Sequence, residues 1–367
     1  MDREGLFESV PNFSEGRRVD VIASIAAAAA KSHVLDVDHD SDHHRVVISM
    51  AAQRARLLEG VLAAVSAAIE HIDVRTHAGV HPRVGAADVV PLVPLGQSTL
   101  ADARELAREV GERIWSELKV PVYFYGEHRR LADIRAGRVR PDLGGPDLHP
   151  TAGAVSVGAR LTLVAFNVLL PDTDLVTAQA LARSLRESRA GMRGVQALVF
   201  ELSDGRVQLS MNLFRVDETP PSAVVAELTR RGVTVGEQQL VGLCPAIAAN
   251  EVAAGRLLEA RLASAAARAG ALLCKDRGDE EHVALALRLL REAEGLAALG
   301  VDQQELLAGA ERAAALVPVL RVAQVLDAEL QAMLGAAARG LRAAIGSSTQ
   351  AMFAARVAAL DNRLAST

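Results

Sequence analysis

Apolar positions along this chain recur with two periods, every second residue or every third and fourth, and the two patterns alternate in order. Residues 6–10 read as a first strand. In the turn Pro11-Asn12-Phe13-Ser14-Glu15-Gly16, Asn12 or Ser14 is able to cap a helix over 17–31. Residues 33–37 and 45–50 read as strands joined by a polar loop. Residues 54–71 follow helical spacing, with Leu57, Leu58, Val61, Leu62 and Val65 on one side. A strand-like run over 84–95 follows. The order is β-α-β-β-α-β, the pattern of a split β-α-β, ferredoxin-like sheet.

A third helix is expected over 100–118 and another strand over 120–125. Residues 131–153 are irregular and rich in Gly and Pro, a length that inside a compact domain is usually functional or disordered. Beyond them, 154–170 form one strongly strand-like run. A helix over 175–189, strands over 195–202 and 207–213, a helix over 222–231 and an extended stretch over 233–237 complete a second β-α-β-β-α-β unit. From residue 251 the chain turns to Ala, Leu, Arg and Glu at helical spacing, as a bundle or a dimerisation arm would. The expectation is an α/β (α+β) protein with two ferredoxin-like subdomains, 1–165 and 166–250, and an all-helical C-terminal region, 251–367.

Composition narrows the class. Half of the 367 residues are apolar but only 3% aromatic, so Ala, Val and Leu must fill the interior. A net charge of −5 and so few stacking side chains argue against a nucleic-acid partner. Cys244 and Cys274 make neither a disulfide framework nor a four-ligand zinc site, and read as reduced, buried thiols. The apolar run 25–30 is closed by Lys31 and His33 far short of a membrane span. With Met1-Asp2-Arg3-Glu4 charged and no signal-peptide pattern after it, a cytoplasmic protein with no membrane partner is expected.

The densest chemistry lies in residues 72–91, where His77, His81, Arg75, Arg83, Asp73 and Asp88 surround Gly79 and Gly85. Pro82 biases His81 towards an extended conformation, which sets an imidazole on a stiff loop at the mouth of a strand. A hydrogen-bonded structural histidine is the plainer reading of that pattern. The loop from Asp38 to Arg45 holds three aspartates and three histidines. Zinc or manganese would suit such donors, but His43 and His44 are adjacent and would point to opposite faces of a strand, so no metal is expected. As groups at a strand end near His81, Asp38 can orient an imidazole and Arg45 can hold an anion; a solvated loop is the alternative. His128, Arg129, Arg130, Arg135, Arg138 and Arg140 form a basic cluster, either solvated or facing a multiply anionic small molecule. Gly144-Gly145-Pro146-Asp147 lacks the spacing and context of a nucleotide loop.

Taken in order, the motifs resemble a known family. Val10-Pro11-Asn12-Phe13-Ser14-Glu15-Gly16-Arg17 resembles the opening signature of the formiminotransferase domain, found alone and in formiminotransferase-cyclodeaminase. Further likenesses are Leu35-Asp36-Val37-Asp38, Asp42-His43 with Arg45, His81-Pro82-Arg83-Val84-Gly85-Ala86 with Asp88-Val89, Val120-Pro121-Val122-Tyr123 with Tyr125-Gly126-Glu127, and Ile134-Arg135-Ala136-Gly137. Gly158-Ala159-Arg160, Ala165-Phe166-Asn167, Gln208-Leu209-Ser210-Met211-Asn212-Leu213 and Gln239-Leu240-Val241-Gly242-Leu243 extend the resemblance over about residues 6–249.

The resemblance implies transfer of a formimino group from N-formimino-L-glutamate to N5 of tetrahydrofolate, a co-substrate, in histidine degradation. It implies small-molecule substrates and commonly a homodimer. By position, His81 matches the catalytic histidine and is expected to shuttle the proton, with Asp38 orienting it and Arg83 and Arg45 holding carboxylates, beside His43. The folate contact falls on Gly144, Gly145, Pro146, Asp147, Leu148, His149, Pro150, Thr151, Ala152 and Gly153. The chain departs from the family at Ala78 and Val80, where Lys and Glu are usual, at His44 for Asn, and at Ala152, where some members carry Trp. A different amidine or formyl donor, or a folate- or small-anion-binding member without catalysis, is the alternative. The C-terminal region is too short for a whole cyclodeaminase domain.

Overall fold

The computed structural model describes residues 5–79, 82–126, 129–249, 251–253, 255–275 and 328–343. They divide into two compact units, one of Met1–Thr162 with Phe200–Arg206 and one of Leu163–Val199 with Val207–Thr367. Both are mixtures of helix and sheet, so the chain is α+β.

In the first unit the elements are β1 (Leu6–Ser9), β2 (Asn12–Phe13), α1 (Val19–Ala29), β3 (His33–Asp40), β4 (Arg45–Gln53), α2 (Arg54–His71), β5 (Ala87–Pro94), α3 (Leu100–Arg113), β6 (Val122–Tyr125), α4 (Leu131–Arg135) and β7 (Val155–Ala159). β1 and β2 both lie between β4 and β5, and so fill one position of the sheet. The break between them falls at Pro11, which has no N–H for the ladder but whose carbonyl still accepts from Ile48 at 3.1 Å. Counting that position as the first strand, the order is 2-3-1-4, extended beyond β5 by β7 and β6 running parallel. A Thr99–Asp102 capping box starts α3, which runs into a π-helical turn, Ile114–Leu118.

Strand alternation sorts this sheet into two chemically different faces. Phe7, Ile48, Met50, Ala87, Val155 and Val157 face the helices and pack with Ile25, Leu57, Val61, Val65, Leu106 and Val110. Each such buried Phe, Ile, Leu, Met or Val side chain contributes about 1.5–3 kcal/mol. Between them in sequence, Glu8, Ser49 and Ser156 are turned the other way and buried, and Asp88, where the register of β5 with β2 shifts, is buried against Arg135. One face makes the core; the other carries polar groups.

The second unit holds β8 (Val164–Leu169), α5 (Leu175–Leu185), β9 (Val195–Glu201, whose last two residues belong to the first unit), β10 (Val207–Leu213), α6 (Pro221–Arg230) and β11 (Gln238–Val241). Its strands lie in the order β11-β8-β10-β9, which is again 4-1-3-2. Phe166, Val168, Leu209, Met211, Val224, Leu228 and Leu240 form its core. Asn167 and Gln208 are buried on alternate positions, and Asn167 donates to Gln239 at 3.3 Å. Beyond two 3-10 turns come α7 (Leu258–Lys275) and α8 (Ala328–Ala343), which pack on one another. The remainder of the expected helical region, 276–327 and 344–367, lies outside the described residues, as does the side chain of Cys274.

Two stretches differ from the pattern in the sequence. The single run over 154–170 is two strands in two sheets, because the chain leaves β7 at Arg160, whose N–H reaches the Leu92 carbonyl at 3.0 Å, and re-enters a ladder only at Val164. Residues 233–237 are not a strand. Val233 N–H is drawn back to the Leu228 carbonyl at 3.0 Å, and pairing with β8 begins around Gly236, whose N–H meets Leu169 at 2.9 Å.

Candidate active site

Three segments of the first unit meet beside the polar face: the turn after β2, the β3–β4 connection, and the stretch leading into β5. Ser14 joins the first to the third, with its N–H on the Ala86 carbonyl and its hydroxyl on the Gly85 carbonyl, both at 2.8 Å. Gly16 joins the first to the second. A Cβ there would lie 2.1 Å from the Asp40 carbonyl oxygen and 2.6 Å from the Arg45 nitrogen, so only glycine admits so close an approach. Glu15, buried beside it, accepts the N–H groups of Arg17 and Arg18 at 2.9 and 3.0 Å ahead of α1. Burial pushes its carboxyl up, but those two N–H bonds and the Arg18 guanidinium outweigh it, and the net direction is down.

Histidines fill the space between these segments. His43 is buried; its Nδ1 lies 3.0 Å from Asp40 Oδ1, and its ring meets Phe200 edge-on at 5.2 Å. Hydrogen bonding to His43 holds the Asp40 carboxyl down at about 2 against the opposing effect of burial. His44 and His77 stack with centroids 4.1 Å apart. Burial, and then the neighbouring His77, bring His44 down to about 4, and burial lowers His77 as well.

A chain of charges runs along the polar face. Arg45 is surrounded by Asp88, Asp40 and Asp38, with Arg135 as an opposing neighbour; burial dominates and brings its guanidinium down to about 10. Asp88 is bonded on both oxygens, to the Val84 N–H at 2.6 Å and to Arg135 Nη2 at 2.7 Å. Tyr125, raised to about 12 by burial, lies within the field of Arg160, Arg135 and Asp88. Arg160, lowered by burial, has Tyr125 and Glu8 as its favourable neighbours. The hydroxyls of Ser49 and Ser156 are buried on this face without a hydrogen-bond partner among the described residues. Three guanidiniums, interleaved with acids and free hydroxyls, suit a ligand carrying carboxylates and amides.

The stretch 144–153 divides in two. His149 and Gly153 exchange N–H bonds at 2.8 and 2.9 Å, and the Ala152 carbonyl accepts from Ala86, which ties this half to the entry of β5. Gly144, at φ +74°, lies against the indole of Trp115, and Leu148 is exposed.

The structure thus brings Asp38 to Arg45, sets His43 against Asp40, ties 149–153 to the entry of β5 near Arg83, and lays Gly144 against Trp115. His81 and Val80 lie outside the described residues, as does His128. Arg83 has a local task, donating from Nη1 to the His77 carbonyl at 3.0 Å and from Nη2 to the Gly79 carbonyl at 2.9 Å. The basic cluster is largely paired: Arg129 with Asp142, Arg130 and Arg138 with Asp133, and Arg135 with Asp88. The sequence assigns no role to Tyr125 or Arg160; it places His77 and Asp88 in the densest chemical stretch, and Arg135 in a basic cluster, without giving any of the three a role of its own. Among the described residues, no group of three His, Cys, Asp or Glu stands where it could hold a metal ion, and no helix is long and apolar enough to cross a membrane.

Sheet order, the converging loops and the charged face define an α+β protein with guanidiniums and carboxylates gathered on one sheet face. A model of the formiminotransferase domain, N-terminal subdomain, matches residues 6–160. The chain is 36% identical over 276 residues to the glutamate formimidoyltransferase of Thermoplasma acidophilum, covering 68% of this chain and 91% of that protein. It is 35% identical over 278 residues to that of Streptococcus pyogenes, covering 68% and 92%. It is also 36% identical over 281 residues to the formimidoyltransferase-cyclodeaminase of Sus scrofa, covering 68% of this chain and 52% of that longer protein. The chain belongs to the formiminotransferase domain family.

Proposed function

We propose that the protein transfers the formimino group of N-formimino-L-glutamate to N5 of tetrahydrofolate, releasing glutamate, as a step of histidine degradation. The observation that carries this reading is the likeness to glutamate formimidoyltransferases across 91% of the first relative's length. The charged face supports it: a dicarboxylate donor needs guanidiniums that are held in place and already partly desolvated, and Arg45 meets both conditions.

N5 of the folate attacks the amidine carbon and forms a C–N bond, giving a tetrahedral adduct. Collapse breaks the bond to the glutamate nitrogen, and one proton must pass from the incoming to the leaving nitrogen. His81 is assigned that transfer, because a neutral imidazole can take a proton and return it near neutral pH. Asp38 orients it, Arg45 holds a donor carboxylate, and residues 144–153 receive the folate. Arg83, bonded to two carbonyls of its own loop, positions more than it binds. A cytoplasmic homodimer is part of the same proposal, to be checked by the solution mass of the full chain.

The test combines the protein with tetrahydrofolate and N-formimino-L-glutamate and follows free glutamate and N5-formimino-tetrahydrofolate by mass spectrometry. Both products should accumulate together. Binding of tetrahydrofolate by calorimetry without product would instead mark a non-catalytic binding protein, or one that needs another donor, as the loss of charge at Ala78 and Val80 allows.

A further inference from the structure

We propose that His44 and His77 are positioning residues for this transfer, a neutral stacked pair that holds the loop leading from His77 to Arg83. The proposal rests on the transferase reading, and the geometry alone defines the pair. The two rings lie 24° from parallel at 4.1 Å. Their tautomers follow from their partners. Nδ1 of His44 accepts the Gly16 N–H at 3.0 Å and so carries no proton, which leaves its hydrogen on Nε2. Nε2 of His77 donates to the His44 carbonyl at 2.9 Å, while its Nδ1 is buried without a partner among the described residues. Both rings are therefore neutral, and a proton added to either would put charge into the stack.

The backbone supports the same assignment. His44 sits at φ +49°, in the left-handed region where a non-glycine residue is disfavoured. Its carbonyl is the acceptor for His77, so the unfavourable conformation is part of the contact that ties the two segments together. Beyond His77 the loop is held again. Arg83 binds the carbonyls of His77 and Gly79, and a Cβ on Gly79 would lie 2.7 Å from the His43 carbonyl oxygen. The charged groups facing the pair are Glu15, Arg17 and Arg83. Neither ring is assigned a proton-transfer step; their effect on the reaction is placement.

The experiment compares wild type with His77→Ala, His77→Gln and His44→Asn in steady-state kinetics and in hydrogen exchange of peptides covering 75–86. His77→Ala should lower kcat by roughly tenfold or more while KM stays within about threefold. Exchange should quicken in 75–86 and stay unchanged in β4 and β5. His77→Gln, which keeps an N–H for the His44 carbonyl, should recover much of the loss. His44→Asn, which removes one titrating ring from the stack, should shift the acid limb of kcat. Unchanged exchange and kcat in His77→Ala would overturn the proposal. So would exchange that quickens throughout the first unit, which would mark a merely structural role. A wild-type protein without transfer activity overturns the functional reading instead, and the exchange pattern then decides the loop contact by itself.

Discussion

Arg135 and Asp88, 47 residues apart in the chain, meet through a 2.7 Å bond between Nη2 and Oδ2, while the other oxygen of Asp88 takes the Val84 N–H at 2.6 Å. This one carboxylate fastens α4 to the sheet and fixes the entry to β5. It is also the leading favourable neighbour of Arg45. Replacing Asp88 with Ala removes the carboxylate paired with Arg135 and the leading one of the three around Arg45 in a buried place, and should cost about 3–5 kcal/mol. Asp88→Asn keeps an acceptor and should cost less. Urea unfolding of the two variants checks the order; equal loss would mean that charge is not what matters there.

That pair also shows what the sequence did and did not make legible. Helical spacing located α2 at residues 54–71, because a surface helix announces its buried stripe locally. The repeated β-α-β-β-α-β order was readable for the same reason. The strand break at Arg160 was not, since residues on both sides are equally strand-like and only sheet membership separates them. Arg45 and Asp38 were expected from a crowded loop and lie in one another's field, whereas Tyr125, Arg135 and Arg160 come together by tertiary contact, which leaves no periodic trace. His77 stood in plain view beside His81, and its stacking on His44 depends on a left-handed turn that no propensity would assign to histidine.

A half-buried group and a buried one should drive stability in opposite directions with pH. His44 falls from 6.5 to about 4 on folding, so the unfolded chain binds the extra proton between those values. Stability should therefore decline as pH drops from about 6.5 to about 4. Glu259, buried in α7 with the Ala246 N–H on one oxygen at 3.0 Å, rises from 4.5 to about 7 through burial. Here the folded chain holds the proton, and about 3 kcal/mol should be lost as pH climbs from about 4.5 to about 7. Between about pH 4.5 and 6.5 the two slopes oppose each other, so thermal stability should rise with pH in Glu259→Gln and fall with pH in His44→Asn relative to wild type. No change in either variant would mean that the groups are not neutral in the fold.

The chain's single tryptophan, Trp115, offers a direct probe of the stretch assigned to folate. A Cβ on Gly144 would lie 2.6 Å from its ring, at a backbone φ of +74° that L residues avoid. Gly144→Ala should cost about 1–3 kcal/mol of backbone strain and displace the indole. Trp115 emission should shift in the variant, and calorimetry should find weaker tetrahydrofolate binding. An emission shift with unaltered affinity would remove Gly144 from the folate contact.

Arg45→Lys separates charge from geometry at the proposed donor site. The Arg45 guanidinium, brought down to about 10, remains charged at neutral pH, so protonation does not limit it. A lysine would keep one positive charge but lose the planar fork that meets a carboxylate with two parallel N–H bonds. It would also be easier to discharge, since burial acts against an ammonium too. Loss of one charge-assisted bond of about 1.5–3 kcal/mol should raise KM for N-formimino-L-glutamate by roughly ten- to a hundredfold. The KM for tetrahydrofolate should change far less, because that substrate is assigned to 144–153. If both constants rise together, Arg45 supports the fold of the face rather than the donor, and the carboxylate must be sought at Arg160, the other deeply placed guanidinium on the same sheet face.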